Sequence, residues 1–221
     1  MERITSPDLI RNTAEYSGFF DYLPYDALSY AQLHRFDANE FILSEGQIPD
    51  YFYLVAEGQA KAYLTHSNGK VSLVNFLYAP CFIGEMELLN AQQKAVALQA
   101  MIPVTCIALP MQQCRKSLLQ NPVFLRELCI YLSKKADRNS RIYTHNIAYP
   151  LENRLARFIQ ITVHNEIYSE RHTEASEYLG VTYRHLLYVI ASFVQRGILQ
   201  KTNFGYKIIN HEALKQLASQ N

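Results

Sequence analysis

Several features are missing from the sequence, and each absence narrows the class of protein that it can encode. No apolar run approaches the roughly 18 residues of a membrane span, and the polar amino terminus MERITSPDLIRN does not resemble a signal peptide. The four cysteines lie far apart without a C-x-x-C pair, so neither a disulfide framework nor a zinc ribbon is indicated. We therefore expect a cytoplasmic protein that works in a reducing compartment and has no membrane partner.

Signatures of catalysis are also missing. The sequence has no Gly-rich phosphate loop, and its seven histidines are scattered without i, i+4 pairing on one helix. Glu85 and Glu87 would share one face if their segment were a strand, and paired carboxylates can perform acid–base chemistry. No serine, histidine or metal-ligand set accompanies them, however. We therefore predict that the protein is not an enzyme and holds no metal. The formal net charge of +1 also gives no basic tail for binding nucleic acid.

What is present divides the chain into three regions. Residues 1–120 contain short apolar runs at roughly ten-residue spacing, with Asn68-Gly69 as a strong hairpin signal, which predicts a small antiparallel barrel or roll. Residues 121–146 predict a long helix, opened by a proline at its first position, and a hinge. Residues 147–221 contain a second helical region. The predicted fold class is α+β.

The long helix carries an apolar seam at spacings of three, four and four, formed by Leu125, Leu128, Leu132 and Ala136. A helix of this length outreaches a small roll, so the seam predicts a partner helix, most simply a second copy of the chain. The alternative is that the seam only packs on the roll.

The segment from His172 to Leu199, HTEASEYLGVTYRHLLYVIASFVQRGIL, has the pattern of a helix-turn-helix. Thr173 is a plausible N-cap for the first helix, and Gly180 can end it at positive φ. Thr182 can then cap a second helix that runs to about Arg196. The alternative interpretation is an ordinary helical hairpin in a core.

The second helix separates an apolar stripe from a polar face, as a DNA recognition helix requires. The stripe consists of Leu186, Val189, Ile190 and Phe193. The following strands resemble a wing whose lysines could contact phosphates. The predicted DNA-binding residues are Thr182, Tyr183, Arg184, His185 and Tyr188 on the helix, with Lys201 and Lys207 on the wing. A regulatory subunit that binds a protein instead of DNA is the competing interpretation.

The order of roll, long helix, hinge and winged helix-turn-helix resembles the cyclic AMP receptor/fumarate–nitrate regulator (CRP/FNR) family of bacterial transcription factors. The motifs that carry the resemblance are Gly46 with the strand YFYLVAEG that ends at Gly58, Phe82-Ile83-Gly84-Glu85 with Leu88-Leu89, and Gly180-Val181-Thr182. The resemblance implies an N-terminal jelly roll like a cyclic-nucleotide-binding domain, a dimerisation helix and a C-terminal winged helix-turn-helix. It further implies a homodimer that binds a near-palindromic operator in double-stranded DNA and regulates transcription.

The effector site of that family is matched only in part. Gly84 and Glu85 match its Gly-Glu pair, whereas Lys94-Ala95 stands where the nucleotide-binding members have Arg-Ser. Lysine keeps the charge but loses the forked geometry that suits a phosphate, and alanine has no hydroxyl. On the long helix, Asn139-Ser140 stands where the family has Thr-Ser. We predict a degenerate site that does not serve cyclic AMP, with an unknown effector; a regulator gated by a cyclic nucleotide is the alternative.

A thiol or iron–sulfur redox sensor is a second alternative, because some members of the family sense oxygen. Cys81, Cys106, Cys114 and Cys129 are separated by 25, 8 and 15 residues, which gives no local loop to hold a cluster. We expect them to pack as small apolar residues, with Cys81 and Cys129 the pair to test for a redox role.

The resemblance also implies RNA polymerase as a partner and a hinge through which a signal at the roll would reach the DNA-binding domain. The span from Arg154 to Gly180 is shorter than in the cyclic AMP receptor pattern, so the loop that contacts the polymerase is reduced to about His164–Arg171. The hinge is predicted at Asn146–Pro150, where the residue before a proline is biased away from helix.

Overall fold

A computed structural model describes residues 1–67, 69 and 71–219 and divides the chain into two compact units. The first unit is Met1–Lys135 and the second begins at Ala136. The division therefore falls inside the long helix, between the limits of 120 and 146 that we expect from the sequence. No helix in the described part of the chain is long and apolar enough to cross a membrane.

The first unit is an antiparallel β roll made of two sheets. One sheet has five strands in the order β1-β2-β9-β4-β7, and the other has four in the order β3-β8-β5-β6. The strands are β1 (Glu2–Ile4), β2 (Gln32–Phe36), β3 (Phe41–Leu43), β4 (Tyr51–Glu57), β5 (Gln59–Thr65), β6 (Val71–Tyr78), β7 (Cys81–Ile83), β8 (Ala97–Ala100) and β9 (Val104–Pro110). The predicted antiparallel roll is confirmed.

Tight turns at glycine join several of these strands. Gly58 lies between β4 and β5 at a φ of +102°, and a Cβ on it would lie 2.5 Å from the Pro103 carbonyl oxygen. Only glycine can bring the two backbone segments so close. The hairpin that we predict at Asn68-Gly69 joins β5 and β6, which pair from Gln59↔Tyr78 to Thr65↔Val71; Asn68 itself lies outside the described residues.

Helices cover one face of the five-stranded sheet. They are α1 (Pro7–Tyr16), α2 (Tyr25–Ser29), α3 (Glu85–Leu88), α4 (Met111–Gln120) and α5 (Pro122–Ala148), and a 3₁₀ turn spans Phe20–Tyr22. Strand β4 is buried on both sides: Leu54 packs in the cluster beneath the helices, while Tyr53 and Val55 pack in the cluster between the two sheets. A strand buried on both faces is a continuous apolar run, which is why YFYLVA shows no alternation.

The helix α5 begins where the sequence predicts, and Asn121 Oδ1 accepts a hydrogen bond of 2.9 Å from the Phe124 N–H. Leu128 is only 1% exposed and belongs to the core of its own roll, and Leu125 and Leu132 pack partly against the same core. Leu128 therefore packs on the roll of its own chain and is not available to a partner helix. Ala136 is exposed.

The second unit contains the predicted winged helix-turn-helix and a third strand beside the wing. Its elements are α6 (Leu151–Thr162), β10 (Ile167–Tyr168), α7 (His172–Tyr178), α8 (Tyr183–Gln195), β11 (Leu199–Thr202), β12 (Gly205–Ile208) and α9 (His211–Ser219). The three strands form one sheet in the order β10-β12-β11. The predicted apolar stripe of α8 is buried: Leu186, Val189, Ile190 and Phe193 are each at most 3% exposed.

Two local predictions are wrong. Thr173 does not cap α7, because the helix already begins at His172, with Arg171 at the N-cap position, and the Arg171 carbonyl accepts the N–H of Ala175 at 3.0 Å. The span His164–Arg171 is not an open loop, since β10 pairs there with β12. Glu85 and Glu87 would share one face only in a strand; they lie in the short helix α3, so at about 100° per residue they point to different sides.

Candidate nucleic-acid interface and effector site

The start of α8 is fixed by its cap and by the turn before it. Gly180 has a φ of +63°, which allows the chain to reverse direction between α7 and α8. The Thr182 Oγ1 accepts a hydrogen bond of 3.3 Å from the His185 N–H and so satisfies one of the unpaired amides of the first turn. The first residues of the helix are thereby held in a defined direction.

The exposed face of α8 carries the side chains that we predict for DNA contact. Tyr183 is 48% exposed and Tyr188 is 73% exposed. Thr182, Arg184 and His185 are exposed as well. The face combines a cation that can bind guanine in a forked pair with phenol groups that can contact base edges and phosphates. Because the opposite stripe is buried, this is the face that α8 presents to solvent.

The wing lies beside the beginning of α8, and His172 links the two. The ring of His172 is 6.3 Å from that of Tyr183 and 5.8 Å from that of Tyr206 on β12. Burial and the nearby Lys201 ammonium lower the pKa of His172, because both disfavour the charged form of its ring. Lys201 and Lys207 are exposed. The sequence pattern contains no signal for this aromatic contact.

Two hydrogen bonds fix the carboxyl end of α7 against the helices that precede it. Asn146 Nδ2 donates to the Tyr178 carbonyl at 3.2 Å, and Arg154 donates through Nη1 to the Leu179 carbonyl. Because carbonyls at a helix end lack partners within the helix, these donors stabilise the turn that leads into α8. Asn146, in the predicted hinge, is thus tied directly to the helix-turn-helix.

The Gly-Glu pair lies at the end of β7, where it starts α3. Gly84 has a φ of +90°, and a Cβ on it would lie 3.4 Å from the Tyr51 carbonyl oxygen. The Glu85 side chain is 5% exposed and forms an ion pair with Lys135 of α5, whose side chain is 26% exposed. The sequence gives no sign that Lys135 takes part in this site. The carboxylate that would accept from a ribose hydroxyl is therefore already bound by a residue of the same chain.

A second residue of α5, Tyr131, contacts β7 next to this ion pair. The ring of Tyr131 is 4.7 Å from that of Phe82, and its hydroxyl donates to the Phe82 carbonyl at 3.2 Å. Tyr131 and Lys135 are one helical turn apart on α5, so both approach β7 and α3 from one side of the helix. The helix thus covers Phe82 with a ring and Glu85 with a cation.

The remaining predicted effector residues take no part in this ion pair. Lys94 is exposed, and Ala95, only 4% exposed, is engaged through its backbone, with its N–H donating to the Gln47 carbonyl at 2.8 Å. Asn139 and Ser140 are exposed residues of α5 in the second unit. The structure therefore places the Lys135 ammonium at the buried Glu85 carboxylate, leaves Lys94 exposed to solvent and has no side-chain hydroxyl at Ala95.

Cys81 and Cys106 pack in the cluster between the two sheets, whereas Cys114 packs in the cluster beneath the helices. Cys81, Cys106 and Cys114 are buried, and Cys129 is exposed. Burial raises the pKa of the Cys106 thiol well above its ordinary range, and burial together with Asp26 raises the pKa of Cys114 to about 11. Because the thiolate is the form that reacts and binds metals, these two thiols are suited to packing. Within residues 1–67, 69 and 71–219, no group of three or more His, Cys, Asp or Glu side chains could hold a metal ion.

Comparison with known proteins agrees with this architecture. Residues 33–121 match the family model of the cyclic nucleotide-binding domain. Over 202 residues the chain is 45% identical to the regulatory protein YeiL of Escherichia coli O157:H7, covering 91% of this chain and 92% of that protein.

Solved structures show the same fold at low sequence identity. A CRP-family transcriptional regulator of Thermus thermophilus matches with a TM-score of 0.68 at 17% identity, over 84% of this chain and 96% of that chain. A CRP/FNR-family transcriptional regulator from the same organism matches with a TM-score of 0.67 at 21% identity, over 84% and 97%.

Proposed function

Since the chain belongs to the CRP/FNR family of bacterial transcription regulators and is similar to YeiL along most of its length, we propose that it is a sequence-specific DNA-binding protein that acts as a homodimer. The observation that carries the proposal is the face of α8: a capped, exposed first turn with Tyr183, Arg184 and His185, backed by a fully buried stripe. A DNA-binding regulator works where the chromosome lies, so we place the protein in the cytoplasm.

The chemistry of this face favours reading bases over binding a protein. Arg184 offers paired donors that match the O6 and N7 atoms of guanine, and a recognition helix contacts bases mainly through its first turns. Lys201 and Lys207 supply charges for phosphates beside it. The formal net charge of the chain is only +1, so affinity depends on these few placed groups and falls as salt rises.

The homodimer is supported by the second half of α5. Tyr143 is 68% exposed and Ile147 is 69% exposed, and they continue the spacing of the seam beyond Ala136. Large apolar side chains on a long helix are buried most simply by the same helix of a second copy. A dimer presents two recognition helices, and it would therefore read a near-palindromic operator with half-sites about one turn apart.

We further propose that the effector site is degenerate. The ion pair of Glu85 with Lys135, the exposed Lys94 and the missing hydroxyl at Ala95 all weigh against gating by a cyclic nucleotide. The raised pKa values of Cys106 and Cys114 weigh against gating by a redox-active thiol at those positions. The effector, where one exists, is of another chemical class.

The test is selection of duplexes from a random-sequence library by the purified wild-type protein at about 0.15 M salt. We expect enrichment of an inverted repeat. Arg184→Ala should weaken binding to the enriched duplex by about 1–3 kcal/mol. It should also relax the base preference at one position in each half-site of the repeat. No enrichment by wild type, or equal affinity and preference for Arg184→Ala, would contradict the assignment. Titration of the same protein with cyclic AMP under reducing conditions should give no binding in the low micromolar range.

A further inference from the structure

The tip of the wing carries an aromatic side chain that the recognition helix does not explain. Asn203 and Phe204 form the two-residue connection between β11 and β12, and Phe204 is 79% exposed. Such connections are usually built from Gly, Asn, Asp, Pro or Ser, whose backbone preferences suit a turn. A phenylalanine contributes nothing of this kind, and most of its apolar surface lies in water.

Two hydrogen bonds and a close backbone approach fix the backbone of the tip. The Phe204 N–H donates to Thr202 Oγ1 at 3.2 Å, and the same hydroxyl donates to the Gly205 carbonyl at 3.1 Å. Gly205 has a φ of +135°, and a Cβ on it would lie 2.3 Å from the Tyr168 carbonyl oxygen of β10. The third strand therefore braces the hairpin, so the backbone that presents Phe204 loses little conformational freedom on binding.

Charges stand on both sides of the tip. Lys201 is directly opposite Tyr206, and Lys207 is opposite Gln200. Because directly paired residues share a face and successive residues alternate, the two lysines project from opposite faces of the hairpin. The Lys201 face is the one that reaches α8, through Tyr206, His172 and Tyr183.

An apolar tip between two outward cations has the shape of a wedge for a groove lined with phosphates. We propose that Phe204 enters the DNA minor groove beside each half-site, with its ring against the sugars and base edges, while Lys201 and Lys207 contact the phosphates of the two strands. The minor groove is about 6 Å wide, which admits a single ring at a hairpin tip, and apolar side chains are a recurrent means of engaging it. This inference rests on the proposed DNA-binding function and adds a contact to it.

The experiment compares variants on a duplex that the wild-type protein has enriched from a random-sequence library. Phe204→Ala is the test variant. Tyr25→Ala is its control, because Tyr25 is an aromatic residue of the first unit that is even more exposed, at 89%. Affinities are measured by fluorescence anisotropy, and circular dichroism checks that the variants remain folded. Base pairs flanking each half-site are also changed from guanine·cytosine to inosine·cytosine, which removes only the minor-groove amino group.

We expect Phe204→Ala to bind the duplex about tenfold more weakly, or about 1.4 kcal/mol, close to what burying a phenylalanine side chain contributes. Tyr25→Ala should stay within about twofold of wild type. Wild type should bind the inosine flank more tightly than the guanine flank, because the amino group obstructs the groove, and Phe204→Ala should lose that difference.

Two results would overturn the inference while leaving DNA binding intact: Phe204→Ala binding as tightly as wild type, or the same inosine preference in both proteins. If Phe204→Ala binds DNA normally but loses retention of a protein partner, the tip is a protein contact and the minor-groove assignment is wrong. Failure of the wild type to enrich any duplex would refute the proposed function before any variant is compared.

Discussion

Replacing Lys135 with methionine tests whether the chain itself neutralises the carboxylate of its effector region. The Glu85 side chain is 5% exposed, and the Lys135 side chain that forms the ion pair with it is 26% exposed. Methionine keeps most of the length and apolar stem of lysine but removes the charge. The variant therefore leaves the Glu85 carboxylate largely dehydrated and without its cation.

The expected cost follows from the burial of the two groups. Removing one partner of a fully buried ion pair costs about 3–5 kcal/mol, because the remaining charge is left unsatisfied. Lys135 is about a quarter exposed, so water can enter and compensate in part. We therefore expect the free energy of unfolding of the first unit to fall by about 2 kcal/mol. Replacing both residues, as Lys135→Met with Glu85→Met, should recover most of that loss, since neither charge then remains buried.

The measurement is urea unfolding followed by far-ultraviolet circular dichroism, at several protein concentrations to separate folding from dimerisation. Lys134→Met is the matched control, because Lys134 is an exposed neighbour on the same helix. Its unfolding free energy should lie within about 0.5 kcal/mol of wild type. If Lys135→Met is as stable as Lys134→Met, the ion pair does not neutralise Glu85, and the argument for an occupied site fails.

Three further predictions concern other parts of the fold. Burial and Arg3 lower the pKa of His34 to about 4, so protonation of its ring opposes folding. The free energy of unfolding should therefore be highest above about pH 6.5 and fall by about 2 kcal/mol between pH 7 and pH 5. His34→Gln should remove this pH dependence, measured by urea unfolding at both pH values. Thr182→Ala should lower stability by about 1 kcal/mol in thermal unfolding, since it removes the cap of α8; a change below about 0.3 kcal/mol would contradict the cap. Gly205→Ala should lower the free energy of unfolding by about 3 kcal/mol, because Gly205 has a positive φ and a Cβ would collide with the Tyr168 carbonyl oxygen. A wild-type melting temperature for this variant would show that β10 does not brace the wing.

Local periodicity predicts the helix α8 well. The stripe at Leu186, Val189, Ile190 and Phe193 and the cap at Thr182 depend on residues within a few positions of each other, and each is found where the sequence predicts it. The wing follows for the same reason, because a hairpin is determined by its own strands and turn. The winged helix-turn-helix is thus encoded locally.

Features that depend on distant residues are harder to predict. Glu85 and Lys135 are separated by 50 positions, and neither residue type indicates its partner. Leu128 has the spacing of a seam, but the spacing does not tell a helix that packs on its own roll from one that meets a second copy. Strand β10 has only two residues, too few for an alternation of polar and apolar positions, and it exists because β12 offers it a free edge.

The ion pair between Glu85 and Lys135 also bears on how the protein is regulated. An effector shifts a conformational equilibrium only by the difference in its affinity for the two states. A nucleotide that uses the Glu85 carboxylate must first displace Lys135. If breaking the ion pair costs about 1.4 kcal/mol, the affinity for the nucleotide is about tenfold lower. Lys94 and Ala95 offer no forked or hydroxyl contact to the phosphate that would offset this loss. Lys135→Met removes the cation from the Glu85 carboxylate and leaves Lys94 and Ala95 unchanged, so it separates the two contributions. A gain of cyclic AMP binding in that variant would mean that Lys135 alone blocks the site, whereas continued failure to bind would place the defect at Lys94 and Ala95 as well.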